Sequence, residues 1–448
     1  MNNFVAEQNQ LIIAAICGII LLLLLIIKFK IHPFLSLLVS SLVIGLGSGM
    51  SAELLAETVE SGAGKTLQGI VLLIGLGSMF GGILEVSGGA KCVAQTLINK
   101  FGEKKAGIAL GVTGLVVGTT VYFEAGVMIL IPLAFSLSRR TKKSTLIYAI
   151  PLLAGLASAF AFVPPSAGSV LVSNLLGVDL GLMIIVGVPT GIISLVFAGI
   201  LYSKFIGNKI IAEAPEIELE TDENVKLPSF KLVITVILIP LALILLSTIT
   251  NYTSVLDAVK PAILVLGTPF VALIVTVLVA MFALGKSQGY SLDKTKSILE
   301  SSLKPTASIL LDITGGGIIS EILQVSGMGT IVSDFVKEAG FPLIICAFLI
   351  AALIRICVGA AVVSMTMTAG IMMAMPEIAT LSPLYLAAMV IAINAGATAF
   401  SHVNDSGFWM VSSLLKINEK DTLKSWTMME TIIGITGLAI ALIICTFA

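Results

Sequence analysis

Four short stretches of this 448-residue chain carry hydrogen-bonding and ionisable side chains where the flanking sequence is almost all apolar. The densest, "FSHVNDSGFW", sets His402, Asn404, Asp405 and Ser406 nearly side by side. "VVGTTVYFEAG" brings Thr119, Thr120, Tyr122 and Glu124, and "FVPPSAGSV" brings Pro165, Ser166, Gly168 and Ser169. "RICVGAAVVSMTMTAG" adds Arg355, Ser364 and Thr366. Covalent catalysis is a poor fit: Ser401 and His402 are the only nucleophile–base candidates, and adjacent residues rarely orient that way. Two His and five scattered Cys have no metal-ligand spacing, so neither a metal nor a cofactor is expected. Binding is the better fit. A guanidinium grips a carboxylate through two N–H groups, carboxyl groups and imidazole carry protons, and hydroxyls and amides hold a polar ligand.

Each candidate has a bland alternative. Asn404 and Ser406 serve equally as substrate ligands or as hydrogen-bonding glue between helices. His402 is a proton carrier or a satisfied donor. Glu124 and Asp405 lean toward function, because a carboxylate at membrane depth is costly and as a rule functional. Arg355 is either a carboxylate clamp or the permanent partner of Asp312 or another acid. His32, beside Pro33, is expected at the membrane interface, and Glu85 is expected to be structural.

The elements that must position these residues are membrane helices. The chain is 57% hydrophobic and 11% charged, against about 25% charged in soluble domains. Apolar runs such as 11–27 and 232–246 recur from end to end. At roughly 20 residues per span there is room for about a dozen. No alternating strands announce a membrane barrel. The first run is long, has no basic leader and is followed by no small-residue cleavage site, so it is expected to be a span. A net charge of -1 excludes an electrostatic nucleic-acid binder. "GAGKT" at 62–66 imitates a phosphate loop but has Val59 where that motif needs glycine.

The plan runs twice. "HPFLSLLVSSLVIGLG" resembles "TPFVALIVTVLVAMFALG", and "GLGSMFGGILEVSGG" resembles "GGGIISEILQVSGMG". The offsets agree: 269 − 33 = 236 for the prolines, 315 − 75 = 240 for the glycines and 326 − 87 = 239 for the serines. This divides the chain into a first repeat (1–206), a polar cytoplasmic linker (207–231) and a second repeat (232–448). Placing Lys and Arg on the cytoplasmic side sets the orientation. The termini then lie outside, and all but Lys65, Lys260, Lys337 and Arg355 fall inside, 25 − 4 = 21 of the basic residues. The stretch 106–138 has basic residues at both flanks and is expected to enter and leave on one side. The two repeats then have opposite topology, as in alternating-access carriers. The expected fold is an all-α polytopic membrane protein of two inverted repeats, each with a re-entrant hairpin and a broken helix.

Both breaks recur at the same offset, 406 − 166 = 240 for the serines that follow them. Pro164 and Pro165 in series cannot continue a helix, and irregular backbone at depth must face protein or a wet cavity. The ordered set "KFKIHPF", "VYFEAGV", "FVPP", "RICVGAA" and "FSHVNDSGFW" resembles the gluconate permease family of gluconate:proton symporters, from the first span to the last. That resemblance implies membership of the ion-transporter superfamily of inverted-repeat carriers. It also implies a bacterial plasma-membrane symporter of sugar acids, commonly homo-oligomeric, whose partners are a small anion, protons and the bilayer. Glu124 matches the family's hairpin glutamate, Pro164 and Pro165 its double proline, and Asp405 the acid of its second broken helix. Ser166-Ala167 stand where the family has His-Pro, which weakens gluconate specifically, whereas Arg355 and "SHVND" favour the gluconate branch over the D-serine branch. The expected substrate is a small hydroxylated carboxylate, gluconate first. The alternatives are D-serine or another small hydroxy or amino acid, or sodium coupling. A channel and an intramembrane enzyme stand further back. The proton-coupling residues expected are Glu124, Asp405 and His402.

Overall fold

A computed structural model describes residues 6–214, 227–252 and 259–448; the middle of the polar linker, 215–226, lies outside the described residues. Every regular element among them is helical. The first half runs α1 (Gln8–Leu23), α2 (Pro33–Gly47), α3 (Ala52–Val86), α4 (Gly89–Phe101), α5 (Ala106–Val117), α6 (Phe123–Thr141), α7 (Leu146–Phe162), α8 (Ala167–Leu175), α9 (Leu180–Ser194) and α10 (Tyr202–Lys209). The second runs α11 (Phe230–Tyr252), α12 (Lys260–Leu266), α13 (Pro269–Ala280), α14 (Leu292–Val325), α15 (Met328–Ala339), α16 (Leu343–Val358), α17 (Ala361–Met373), α18 (Pro383–Thr398), α19 (Ser406–Leu415), α20 (Glu419–Thr422) and α21 (Met428–Cys445).

Local chemistry sets the boundaries. The two longest helices start on serine caps, Ser51 accepting from the Leu54 N–H and Ser291 from the Lys294 N–H, each at 3.2 Å. They begin 292 − 52 = 240 residues apart. Each then turns through a Ser-Gly pair, Ser87-Gly88 and Ser326-Gly327, whose glycines have φ of +73° and +87°. Proline opens α2, α13 and α18 at the first turn, where its missing N–H costs nothing.

Six helices among the described residues are long and apolar enough to cross a membrane, or eight if two bent pairs each count as one span. That is fewer than the dozen that apolar length alone has room for. Several apolar runs are instead short helices of ten to seventeen residues, including α16, α17, α18 and α19. The pair α12 and α13, the second of which opens on Pro269, is bent by 73°.

Four breaks interrupt helix pairs: between α5 and α6, α7 and α8, α16 and α17, and α18 and α19. The path α7–α8, Leu146–Leu175, is the most enclosed span, 89% buried. It packs on α5 with backbones almost touching: a Cβ on Gly155 would collide with the Gly111 carbonyl oxygen. Small residues that let helices approach this closely are how membrane helices gain packing without a hydrophobic driving force. The long pair α3 and α14 crosses beside this centre, tied by Ser78 Oγ and Thr306 Oγ1 at 2.6 Å.

Candidate functional site

The four breaks meet around one cavity of about 200 Å³. Phe123 and Glu124 reach it from the start of α6, Ala167 from the start of α8, Ala361 to Val363 from the start of α17, and Ser406 and Gly407 from the start of α19. Four helix N-termini therefore open on the same space. Three of them, on α6, α8 and α17, have no side-chain cap; the fourth is capped by Asp405, whose Oδ1 accepts from the Gly407 N–H at 3.0 Å. The free N–H groups and positive dipole ends of such termini favour anions.

Arg355, from the last turn of α16, joins them, only 4% exposed. Its Nη2 pairs with Asp405 Oδ2 at 2.5 Å, and its Nη1 donates to the Gly359 carbonyl. Its Nε has no hydrogen-bond partner among the described residues. Asp405 also accepts from Ser401 Oγ, which in turn accepts from Trp426 Nε1 at 2.7 Å. The residue that faces Arg355 is thus Asp405, while Asp312 of α14 lines the same cavity and lies 3.9 Å from His32 Nδ1.

Gly359 makes this geometry reachable. Its φ is +83°, and a Cβ there would collide with the Asn404 carbonyl oxygen, so the two second-half breaks meet backbone to backbone. His402 Nε2 and Asn404 Nδ2 both donate to the Ile356 carbonyl, at 3.0 and 2.7 Å. They clasp the end of α16 and do not line the cavity.

Of the residues singled out in the sequence, Tyr122, Glu124, Arg355, Asp405 and Ser406 come together here. Thr119, Thr120, Pro165 and Ser166 line an adjoining cavity of about 30 Å³, room for a water, which shares Tyr122, Phe160 and Ala167 with the central one. Gly168 and Ser169 lie within α8, with Ser169 Oγ 3.5 Å from the Phe162 carbonyl. Ser364 donates to the Ala351 carbonyl at 2.6 Å and Thr366 to the Val362 carbonyl at 2.8 Å, so both serve helix packing. A larger cavity of about 560 Å³ lies between α3, α14 and α6 and shares Tyr122, Glu124 and Ile309 with the central one. Three participants escaped the sequence reading: Trp426, Glu430 and Asn394, whose Nδ2 donates to the Ala161 carbonyl at 2.7 Å beside the double-proline break. Asn394 and Glu430 were detectable as polar residues inside apolar runs. Among the described residues no cluster of His, Cys, Asp and Glu could hold a metal ion.

A polar cavity on which four helix N-termini converge between short apolar helices suits a carrier, and the comparisons agree. The sequence profile of the GntP family permease matches residues 10–447. The chain belongs to the GntP permease family. This permease is 36% identical to the low-affinity gluconate transporter of Escherichia coli K12, over 97% of the chain and 98% of that protein. It is 35% identical to a gluconate permease of Pseudomonas aeruginosa, over 98% of each. It is 33% identical to the Gnt-II system L-idonate transporter of Escherichia coli K12, over 96% and 97%. In fold it is similar to the YdaH transporter of Alcanivorax borkumensis, with a TM-score of 0.65 at 14% identity over 95% and 98% of the chains. MtrF of Neisseria gonorrhoeae superposes with a TM-score of 0.62 at 18% identity, over 88% and 84%. The protein is a transporter embedded in the membrane, and not an enzyme.

Proposed function

We propose that this permease imports gluconate or a closely related sugar acid together with protons, by alternating access across the bacterial plasma membrane. The observation that carries the reading is the charge inventory of the central cavity: Glu124, Asp312, Asp405 and Glu430 face a single cation, Arg355. An anion added to that set must bring protons with it, because uncompensated like charges in a poorly solvated space repel strongly. The uncapped helix ends and the open Nε of Arg355 then hold the carboxylate, and Ser406 and Tyr122 are placed for the hydroxyl chain. A volume of about 200 Å³ is below the roughly 300–1,000 Å³ of drug-sized sites, which suits a small metabolite. Relatives named for gluconate and L-idonate support a polyhydroxylated monocarboxylate as cargo.

Within this reading Asp405 anchors Arg355, and His402 and Asn404 brace the break. Glu124, which lines both cavities, passes protons between them. The two halves, 1–206 and 232–448 joined by the linker 207–231, act as inverted repeats. In support, twelve residues of α5 at about 1.5 Å each give about 18 Å, short of the roughly 30 Å of a bilayer core. A helix that short followed by a break suits a re-entrant hairpin. The direct test is competition for labelled gluconate uptake. Sugar acids of similar length should compete, and neutral polyols of that length should not. Equal competition by the polyols, or stronger competition by D-serine, would overturn the substrate class.

A further inference from the structure

Two acids of the central cavity, Asp312 and Glu430, neither anchor Arg355 nor join the cavities; Asp312 is half-buried and lies 3.9 Å from His32 Nδ1, whereas Glu430 is buried. Glu430 stands on α21 one turn after Trp426, and both side chains line the cavity. The residue is 4% exposed, and its Oε1 has no hydrogen-bond partner among the described residues. A structural carboxylate in an apolar helix would be expected to hold a donor, since a buried unpaired charge is strongly unfavourable. Here two residues lining the same cavity each carry a buried polar atom without a hydrogen-bond partner among the described residues, a donor on Arg355 (Nε) and an acceptor on Glu430 (Oε1).

The charges around Glu430 are few. Arg355 of α16 and Asp405 ahead of α19 act on it electrostatically. Glu124 of α6, Asp312 of α14 and Tyr122 line the rest of the cavity. Of the helices packed on α21, α9 carries no titratable residue. Tyr148 of α7 is bonded to Thr141, Tyr385 of α18 stands near Cys445, and Lys424 just before α21 is exposed.

We propose that Glu430 is the deep proton-binding acid of the transport cycle. It takes a proton from water as the substrate carboxylate engages Arg355, and returns it to water, through Glu124, as the substrate leaves. With Asp405 already neutralising Arg355, a second carboxylate can enter beside Glu430 only when Glu430 is neutral. The inference rests on the proton-coupled reading, and the test separates the two. Gluconate is added to purified protein in weakly buffered detergent solution, with binding followed by tryptophan fluorescence and proton uptake by a pH-indicator dye. Wild type should take up about one proton per anion bound, the linkage expected of a single coupled site. Glu430→Gln should still bind gluconate but take up none, with an affinity no longer dependent on pH. Uptake by Glu430→Gln equal to wild type would overturn the assignment to Glu430 and leave proton coupling standing. No uptake by wild type at any pH from about 6 to about 10, a range that spans both protonation states of a buried carboxyl, would overturn proton coupling and the assignment together. Glu430→Asp gives a second arm if the amide variant does not fold: the pH profile of gluconate affinity should shift, and an unchanged profile would overturn the proposal.

Discussion

Arg355 carries the heaviest demand of any single residue. It is buried, its partner Asp405 caps the opposing helix, and its Nε has no partner among the described residues. Lysine keeps the charge but not the planar fork, so it cannot hold Asp405, the Gly359 carbonyl and a substrate carboxylate together. We expect Arg355→Lys to bind gluconate at least about tenfold more weakly, about 1.4 kcal/mol, with the thermal midpoint of the detergent-solubilised protein unchanged. Equal gluconate affinity at matched expression would assign Arg355 to structure and leave the helix ends as the anion site. Much of this cluster was readable in the sequence, because Glu124, Arg355 and Asp405 are charges set in oil. What could not be read was the pairing. Asp312 and Asp405 are equally plausible partners for Arg355 until the breaks are folded together, and fifty positions separate Arg355 from Asp405 along the chain. Glu430 was visible as the single acid of α21 but lacked the polar neighbours that marked the other stretches.

Breaks, more than helices, are the working elements of the fold. The Pro164-Pro165 break announces itself, because proline removes a donor and clashes with the preceding turn. The break at Gly359 has no such marker and depends on one left-handed residue pressed against Asn404. Alanine there takes up a conformation costing about 1–2 kcal/mol and adds a Cβ where the Asn404 carbonyl lies. Gly359→Ala should therefore lower the thermal midpoint of the detergent-solubilised protein and weaken gluconate binding, while Gly177→Ala, left-handed but with no atom near its Cβ position, lowers the midpoint without affecting binding. Gluconate affinity unchanged in Gly359→Ala would contradict the role given to the break. The number of spans is not legible in the sequence for a related reason: apolar composition reads the same in one through-helix as in two half-helices meeting at a break. Only length within each helix tells them apart, and the ends of α16 to α19 are set by tertiary contacts such as the clasp on the Ile356 carbonyl.

For the molecule as a whole, the proposed inverted repeats require the two halves to face opposite ways in the membrane. The hairpin formed by α5 and α6 should have both ends in the cytoplasm. Single cysteines placed near Lys105 and Arg139, in a background free of the native cysteines, should both resist an impermeant thiol reagent applied outside whole cells. Labelling of one alone would make 106–138 a through-span and undo the inversion. In the proposed cycle the inversion lets one central cavity, with four acids and one arginine, open to either side in turn. The most direct measurement of the central claim is gluconate accumulation in proteoliposomes holding the purified permease, under an imposed inward proton gradient and no sodium. Gluconate should accumulate above the external concentration and collapse to equilibrium when an uncoupler is added. Uptake that only equilibrates, or that accumulates unchanged with the uncoupler present, would contradict that claim.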